Sequence, residues 1–238
     1  MDENNEARVL IGCVTHDKDA AYVPDFLSAI RAQDHDRFDV LFVDTSANDD
    51  YAAKLRGSGY IVVKGEPGVS QKIDRVTRGR NIIRDYALSK GYDHVWFVDT
   101  DVIPPSHALS ELMSAGKDIN AGLCLMSTNV DGSMKAMPNA YKFDEKTNML
   151  TPLTLGELDE DYPTETSAIG FGCVLLSSKV LSELKFRYFE ESMAGEDIAF
   201  CTDAKEKGFR SFADSRVKCQ HRIFPPGDPR NKKFIFDG

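Results

Sequence analysis

Val95-Trp96-Phe97-Val98-Asp99-Thr100-Asp101-Val102-Ile103-Pro104-Pro105 is the stretch from which the rest of the chain is read. The apolar run from His94 to Val98 has the length and the aromatic and β-branched content of a buried strand. It delivers two carboxylates, one residue apart, to its C-terminal edge, and two prolines then stop it. Alternation along a strand puts the Asp99 and Asp101 side chains on one side of the chain. Two such carboxylates repel unless a cation sits beside them, which makes the pair a seat for Mg2+ or Mn2+. An ordinary strand-end turn, where Asp is common, accounts for the same residues.

Upstream, short apolar runs alternate with helix-like stretches. Strands are expected at Arg8 to Val14, Phe38 to Val43 and Tyr60 to Lys64, with helices at Tyr22 to Ala32, Tyr51 to Arg56 and Val76 to Ser89. Gly65 to Gly68, with Pro67 inside, reads as a loop, and Gly91 stops the third helix. This alternation predicts an α/β fold, a Rossmann-like, mostly parallel sheet with helices on both faces.

Downstream the pattern is less regular. A helix to about Ala115 and a strand around Asn120 to Leu125 follow the prolines. Residues 127 to 165, rich in Asn, Asp, Glu, Thr and Pro, suggest loops and short hairpins. A strand is expected at Gly172 to Ser177, helices at Ser178 to Leu184 and Ile198 to Lys207, and a last strand at Arg216 to His221. The tail from Pro225 reads as loose or laid over the surface. One domain over residues 1–238 follows, with residues of about 7–104 as a regular half, about 105–224 as an irregular half, and 225–238 as the tail. Ligands of such sheets bind at the carboxyl ends of the strands.

Composition narrows the classes of partner. A chain of 238 residues is long enough for one substantial core. A net charge of -9 argues against general nucleic-acid binding, which wants a basic surface. A nucleotide can still bind if a metal and a few arginines neutralise its phosphates. No run approaches the length of a membrane span, and the acidic start lacks the basic region of a signal peptide. The five cysteines are odd in number and form no CxxC pair, and three sit in apolar strand-like runs. Buried reduced thiols in a cytoplasmic protein are the expectation, without a zinc site.

Four further places can carry chemistry. Glu196 and Asp197 open the helix that runs to Lys207. Acids there are favoured by the helix dipole alone, or one of them deprotonates an acceptor hydroxyl. His221 closes the last strand, and becomes a metal ligand only if the chain returns to the carboxylates. Asp44 ends the second strand, as a turn cap or as an acceptor for a nucleobase or ribose. Arg78-Gly79-Arg80-Asn81 opens the helix before the aspartate strand, where guanidiniums either contact a diphosphate or simply meet solvent.

The order of these features resembles GT-A glycosyltransferases, especially family-2-like members. The resemblance rests on Asp44, then Arg80-Asn81, then Asp99-Thr100-Asp101. It continues through Ile169-Gly170-Phe171-Gly172-Cys173-Val174-Leu175-Leu176, Gly195-Glu196-Asp197-Ile198, and finally His221. It covers about Val9 to His221 and implies a hexosyltransferase-type enzyme with a UDP- or GDP-linked sugar as donor. It further implies that Asp44, Arg80, Asn81, Asp99, Thr100 and Asp101 bind the nucleotide sugar. Asp99, Asp101 and His221 are the implied ligands of Mn2+ or Mg2+, with Asp99 also near the ribose or sugar. Gly170 and Gly172 belong to the family's acceptor strand. Asp197, with Glu196 beside it, is implied as the base of an inverting displacement. The acceptor (glycan, lipid, protein or small molecule) is left open.

Two other classes compete. A haloacid-dehalogenase-like phosphatase also uses paired aspartates at a strand end, but normally on its first strand, whereas three strands precede Asp99. A non-catalytic nucleotide-sugar-binding module would keep Asp101 and His221 and need nothing of Asp197.

Overall fold

The computed structural model describes residues 7–66, 68–130, 132–191 and 195–236; Pro67 of the expected loop lies outside them. The first half alternates as the sequence predicts: β1 (Val9–Thr15), α1 (Val23–Arg31), β2 (Phe38–Asp44), α2 (Asp50–Gly57), β3 (Ile61–Lys64), α3 (Lys72–Lys90) and β4 (His94–Val98). After β5 (Val102–Ile103), α4 (Ala108–Ser114) and β6 (Ile119–Leu123), the polar stretch folds into two hairpins. These are β7 (Leu125–Val130) with β8 (Ser133–Pro138), and β9 (Ala140–Asp144) with β10 (Met149–Pro152). The chain ends with β11 (Thr164–Thr166), β12 (Ala168–Ile169), β13 (Cys173–Ser177), α5 (Ser178–Glu183), α6 (Glu196–Glu206), β14 (Ser211–Lys218) and β15 (Gln220–His221).

Eight strands form one sheet in the order β3-β2-β1-β4-β13-β6-β14-β11. β13 is antiparallel to both its neighbours and β11 to β14, so these two run against the other six. The period-2 alternation of the apolar strands divides the core between the two faces. Leu10, Leu41, Val43, Val95 and Phe97 pack with residues of α3, α5 and α6. Val9, Ile11, Phe42, Trp96 and Val98 pack with those of α1, α2 and α4. The fold is therefore α/β, a mostly parallel sheet covered on both faces. Among the described residues, no helix is long and apolar enough to cross a membrane. All five cysteines are buried and unpaired.

Two glycines set how closely α3 lies on β1. A Cβ on Gly79 would meet Val14 Cγ2 at 2.7 Å, and one on Gly12 would meet Ile83 Cγ2 at 2.4 Å. Gly inside a helix costs roughly 0.5–1 kcal/mol relative to Ala, and here that cost secures a contact no side chain would permit. The next residue, Arg80, is thereby held against the end of the sheet.

Two expectations are corrected. α3 begins at Lys72, not near Val76, because its first turn is polar and carries no apolar periodicity. The last long strand is Ser211–Lys218 rather than Arg216 to His221. Its pattern hides in Ser211-Phe212-Ala213-Asp214-Ser215, where Asp214 is fully buried against Arg216 and Asn120. The register then slips between Asp214 and Lys218, and Gln220–His221 pairs separately with Val102–Ile103. Of the two readings of the tail, the packed one holds: Asp228 caps a 3-10 turn over Pro229–Phe234, Asn231 bonds Phe224 at both backbone groups, and Phe234 is buried.

Candidate active site

β4 ends at Val98, and the Asp-Thr-Asp motif is a turn rather than a continued strand. The Val102 N–H donates to the Asp99 carbonyl at 3.0 Å, and the Asp99 N–H donates to the Gly172 carbonyl at 3.0 Å. Strand alternation therefore does not govern the two carboxylates. Asp99 faces Arg80, and Asp101 faces His221.

Arg80 is 3% exposed. Its Nη2 donates to the Phe171 carbonyl at 3.1 Å and lies 3.4 Å from Asp99 Oδ1, while Nη1 lies 3.2 Å from Glu196 Oε1. That last contact is an ion pair without hydrogen-bond alignment, so a buried Nη1 N–H is left without an acceptor. The guanidinium also stands over the rings of Phe97 and Phe171. Burial works against its charge, but Glu196 and Asp99 outweigh burial and hold it protonated. Burial pushes the Asp99 carboxyl up to about 6; Arg80 opposes this, and Asp101 and Glu196 add to it.

The small ribbon of β5 and β15 brings His221 to the motif. His221 pairs with Val102, and the Arg222 N–H donates to the Asp101 carbonyl at 2.8 Å. His221 Nδ1 lies 2.9 Å from the Leu125 carbonyl, which can only accept, so Nδ1 carries a proton. In the neutral ring the Nε2 lone pair then faces Asp101, whose Oδ2 is 3.8 Å away. A backbone carbonyl that fixes one nitrogen and leaves the lone pair of the other free is an arrangement a metal-binding imidazole uses. Burial lowers the affinity of this ring for a second proton, yet Asp101 outweighs it and the net shift is upward.

Glu196 and Asp197 open α6 behind Gly195. Glu196 belongs to the Arg80 ion pair, while Asp197 Oδ1 accepts the Ile198 N–H at 2.8 Å. A Cβ on Gly195 would stand 2.7 Å from that oxygen, so a glycine is needed for the carboxylate to lie across the helix start. Burial, then Glu196, pushes the Asp197 carboxyl above its ordinary value, with Arg80 opposing. Gly170 leaves room for Asn139 and Gly172 for Val102, whose nearest atoms would lie 3.1 and 3.3 Å from an added Cβ. Asn139 ties the wall together, accepting the Cys124 N–H and donating to the Gly170 carbonyl.

Two cavities meet at Lys72, Asp99 and Asp101. One, of about 230 Å³, opens between β1, β2 and α3 and reaches Thr15, Thr45 and Thr100. The other, of about 190 Å³, is walled by Arg80, Gly170, Gly172, Glu196, Asp197 and His221. Residues far apart in sequence and singled out there thus share one cleft.

Three others do not reach it. Asn81 bonds the Phe186 N–H and carbonyl with its amide and holds that segment onto α3, and it lines neither cavity. Asp44 is fully buried, and its oxygens are taken by Ser46 and by Lys64 Nζ at 2.8 Å. Burial raises its pKa, but these hydrogen bonds outweigh burial and keep it below the usual range. Arg78 pairs with Glu66 and Asp74. Conversely, Lys72, Asn139 and Tyr141 line the cleft without having been singled out. Lys72 did leave a signal, since a cation in a helix's first turn opposes the macrodipole.

Among the described residues, no group of three or more His, Cys, Asp or Glu side chains is gathered closely enough to hold a metal alone. Asp99, Asp101 and His221 are therefore not one cluster. The Asp101–His221 pair, with one imidazole nitrogen already oriented, fits a hard divalent cation that draws its other ligands from a substrate.

No protein-family model matches the sequence, and no curated protein matches it. Solved structures do share its architecture. A197 from STIV gives a TM-score of 0.54 at 19% identity, over 97% of this chain and 94% of that one. TarS from S. aureus gives 0.55 at 16% identity, over 88% of this chain and 35% of that one. TarS 1-349, solved in complex with UDP-GlcNAc, gives 0.54 at 18% identity, over 88% of this chain and 56% of that one. The fold is GT-A-like. At these identities the likeness is one of fold, and this GT-A-like chain corresponds to only part of TarS.

Proposed function

We propose that the protein is a divalent-metal-dependent glycosyltransferase of the hexosyltransferase type. Its donor is a UDP- or GDP-linked sugar, and its acceptor presents a hydroxyl. The observation that carries this reading is the meeting of two cavities at Asp99 and Asp101, with Asp197 in the wall of the second. The cavity between β1, β2 and α3 would take the nucleoside, and the other the donor sugar with the acceptor hydroxyl at its mouth. The complex of TarS 1-349 with UDP-GlcNAc supports a nucleotide sugar as ligand of this fold. Residues 7–104 supply the nucleotide side and 105–224 the acceptor side.

The chain's own groups divide the work. Asp101 and His221 would hold Mn2+ or Mg2+, which supplies positive charge to a departing diphosphate. Asp197 takes the proton of the acceptor hydroxyl as that oxygen attacks the anomeric carbon and the bond to the diphosphate oxygen breaks. Its upward-shifted pKa makes it a stronger base than an ordinary carboxylate. Arg80 keeps Asp99 and Glu196 in place at the junction. Asp44, locked to Ser46 and Lys64, shapes the loop after β2, and any bond from it to a base would displace one of these partners.

A panel of nucleotide sugars with Mn2+ and Mg2+, scored by released nucleoside diphosphate, tests the reading. Slow hydrolysis of one donor without acceptor is expected. Turnover of p-nitrophenyl phosphate with no nucleotide released would favour the phosphatase, and binding without release would favour the non-catalytic module.

A further inference from the structure

Lys72 is one of three residues shared by the two cavities, and the other two, Asp99 and Asp101, are acids. Four basic side chains of the neighbouring segments are already engaged. Lys64 bonds Asp44, Arg75 bonds the carbonyls of Val69 and Ser70, Arg78 pairs with Glu66 and Asp74, and Arg80 pairs with Asp99 and Glu196. Among the described residues, the Lys72 ammonium has no hydrogen-bond or ion-pair partner. Burial pushes the carboxyls of Asp19 and Asp99 up, and the Lys72 charge opposes that push in both without overcoming it. The Lys18 ammonium is likewise without a partner among the described residues, but it lines only the nucleotide-side cavity.

Local folding does not ask for this lysine. It is the first residue of α3, where the dipole disfavours a cation, and Gln71 before it makes no side-chain cap. The junction it overlooks is acidic, and a diphosphate arriving there brings further negative charge beside Asp99 and Asp101. Asp101 and His221 approach from the turn after β4 and from β15, whereas Lys72 approaches from α3, a separate element. A diphosphate between them would be met by protein charge from one side and by the metal pair from another.

We propose that Lys72 is a diphosphate-binding residue, the protein's own cationic contact to the donor's leaving group. The proposal rests on the nucleotide-sugar reading above and adds to it a component of affinity that needs no metal.

The test uses UDP, GDP and uridine as probes, with the full chain, in Mn2+ and in EDTA. Lys72→Met is compared with Lys72→Arg, and their melting curves are expected to match the wild type because the side chain is exposed. The expected result is that Lys72→Met weakens UDP or GDP binding about tenfold or more in both conditions. Uridine, which has no phosphate, should bind unchanged by ligand-observed NMR, and Lys72→Arg should restore most of the affinity. Diphosphate binding equal to wild type in Lys72→Met overturns the proposal, as does an equal loss of uridine binding, which would mean a damaged pocket. If the wild-type protein binds neither UDP nor GDP, the nucleotide-sugar reading itself fails, a result distinct from either of these.

Discussion

The Nη1 of Arg80 lies 3.2 Å from Oε1 of Glu196, joining the middle of α3 to the first turn of α6. With Asp99 at 3.4 Å on its other nitrogen, this buried guanidinium is the hub around which the acids of the cleft are arranged. Arg80→Met would leave the buried Glu196 carboxylate without a counter-charge. Breaking a buried pair by removing one partner costs about 3 kcal/mol or more. A denaturant titration should show that loss, and Glu196→Gln in the same chain should recover part of it, because the two residues are coupled. An unchanged midpoint in the single variant would mean that Arg80 holds nothing together.

The contact beneath Arg80 can be tested separately. Gly79→Ala improves helix propensity by up to roughly 1 kcal/mol, but its Cβ would meet Val14 at 2.7 Å. Overpacking costs about 1–3 kcal/mol, so the variant should melt lower than wild type despite the better helix former. A higher melting temperature would show that α3 can move away from β1 freely.

How far the sequence carried depends on where each signal was written. The alternating strands and helices of the first half are local patterns, and they stand where the sequence puts them apart from the polar first turn of α3. Asp99, Asp101, Glu196, Asp197 and His221 also meet in one cleft, because each sits at an element boundary, in the turn after β4, at the start of α6 or at the end of β15. Asn81 and Asp44 came out differently because their partners, Phe186 and Lys64, belong to other segments that no local pattern ties to them. β14 was misplaced because its buried Asp214 reads as a loop residue until Arg216 and Asn120 are seen to satisfy it. Lys72 was legible only as an oddity, a cation at the wrong end of a helix.

Asp197→Asn should separate chemistry from binding. The amide oxygen can still accept the Ile198 N–H, so α6 keeps its start, but the side chain cannot take a proton. Sugar transfer should fall by about a hundredfold or more with near-normal nucleotide affinity. Stability should move the other way. Burial raises the folded-state pKa of Asp197 above its unfolded value of about 3.9. The charged form therefore costs stability at pH 7, and that cost disappears as pH falls below the unfolded value. The variant should melt above wild type at pH 7, with the gap closing near pH 4. Wild-type transfer rates in Asp197→Asn together with a dead Glu196→Gln would move the base to Glu196.

His221→Ala removes a ring whose Nδ1 is fixed by Leu125 and whose Nε2 faces Asp101. The tightening of nucleotide binding by Mn2+ should drop at least about tenfold, the low end of what loss of such a ligand shell costs. The melting temperature should change by only a few degrees. A large drop in melting temperature with unchanged activity per folded molecule would make His221 structural.

The central claim, a nucleotide diphosphate held at the junction of Asp101 and His221 through a divalent cation, is tested most directly by calorimetry of UDP and GDP binding in Mn2+ and in EDTA. One of the two nucleotides should bind at least about tenfold more tightly with the metal, since a dianionic leaving group meets an acidic cleft without it. Residual binding in EDTA is expected and should depend on Lys72. Equal affinity with and without the metal would contradict the account.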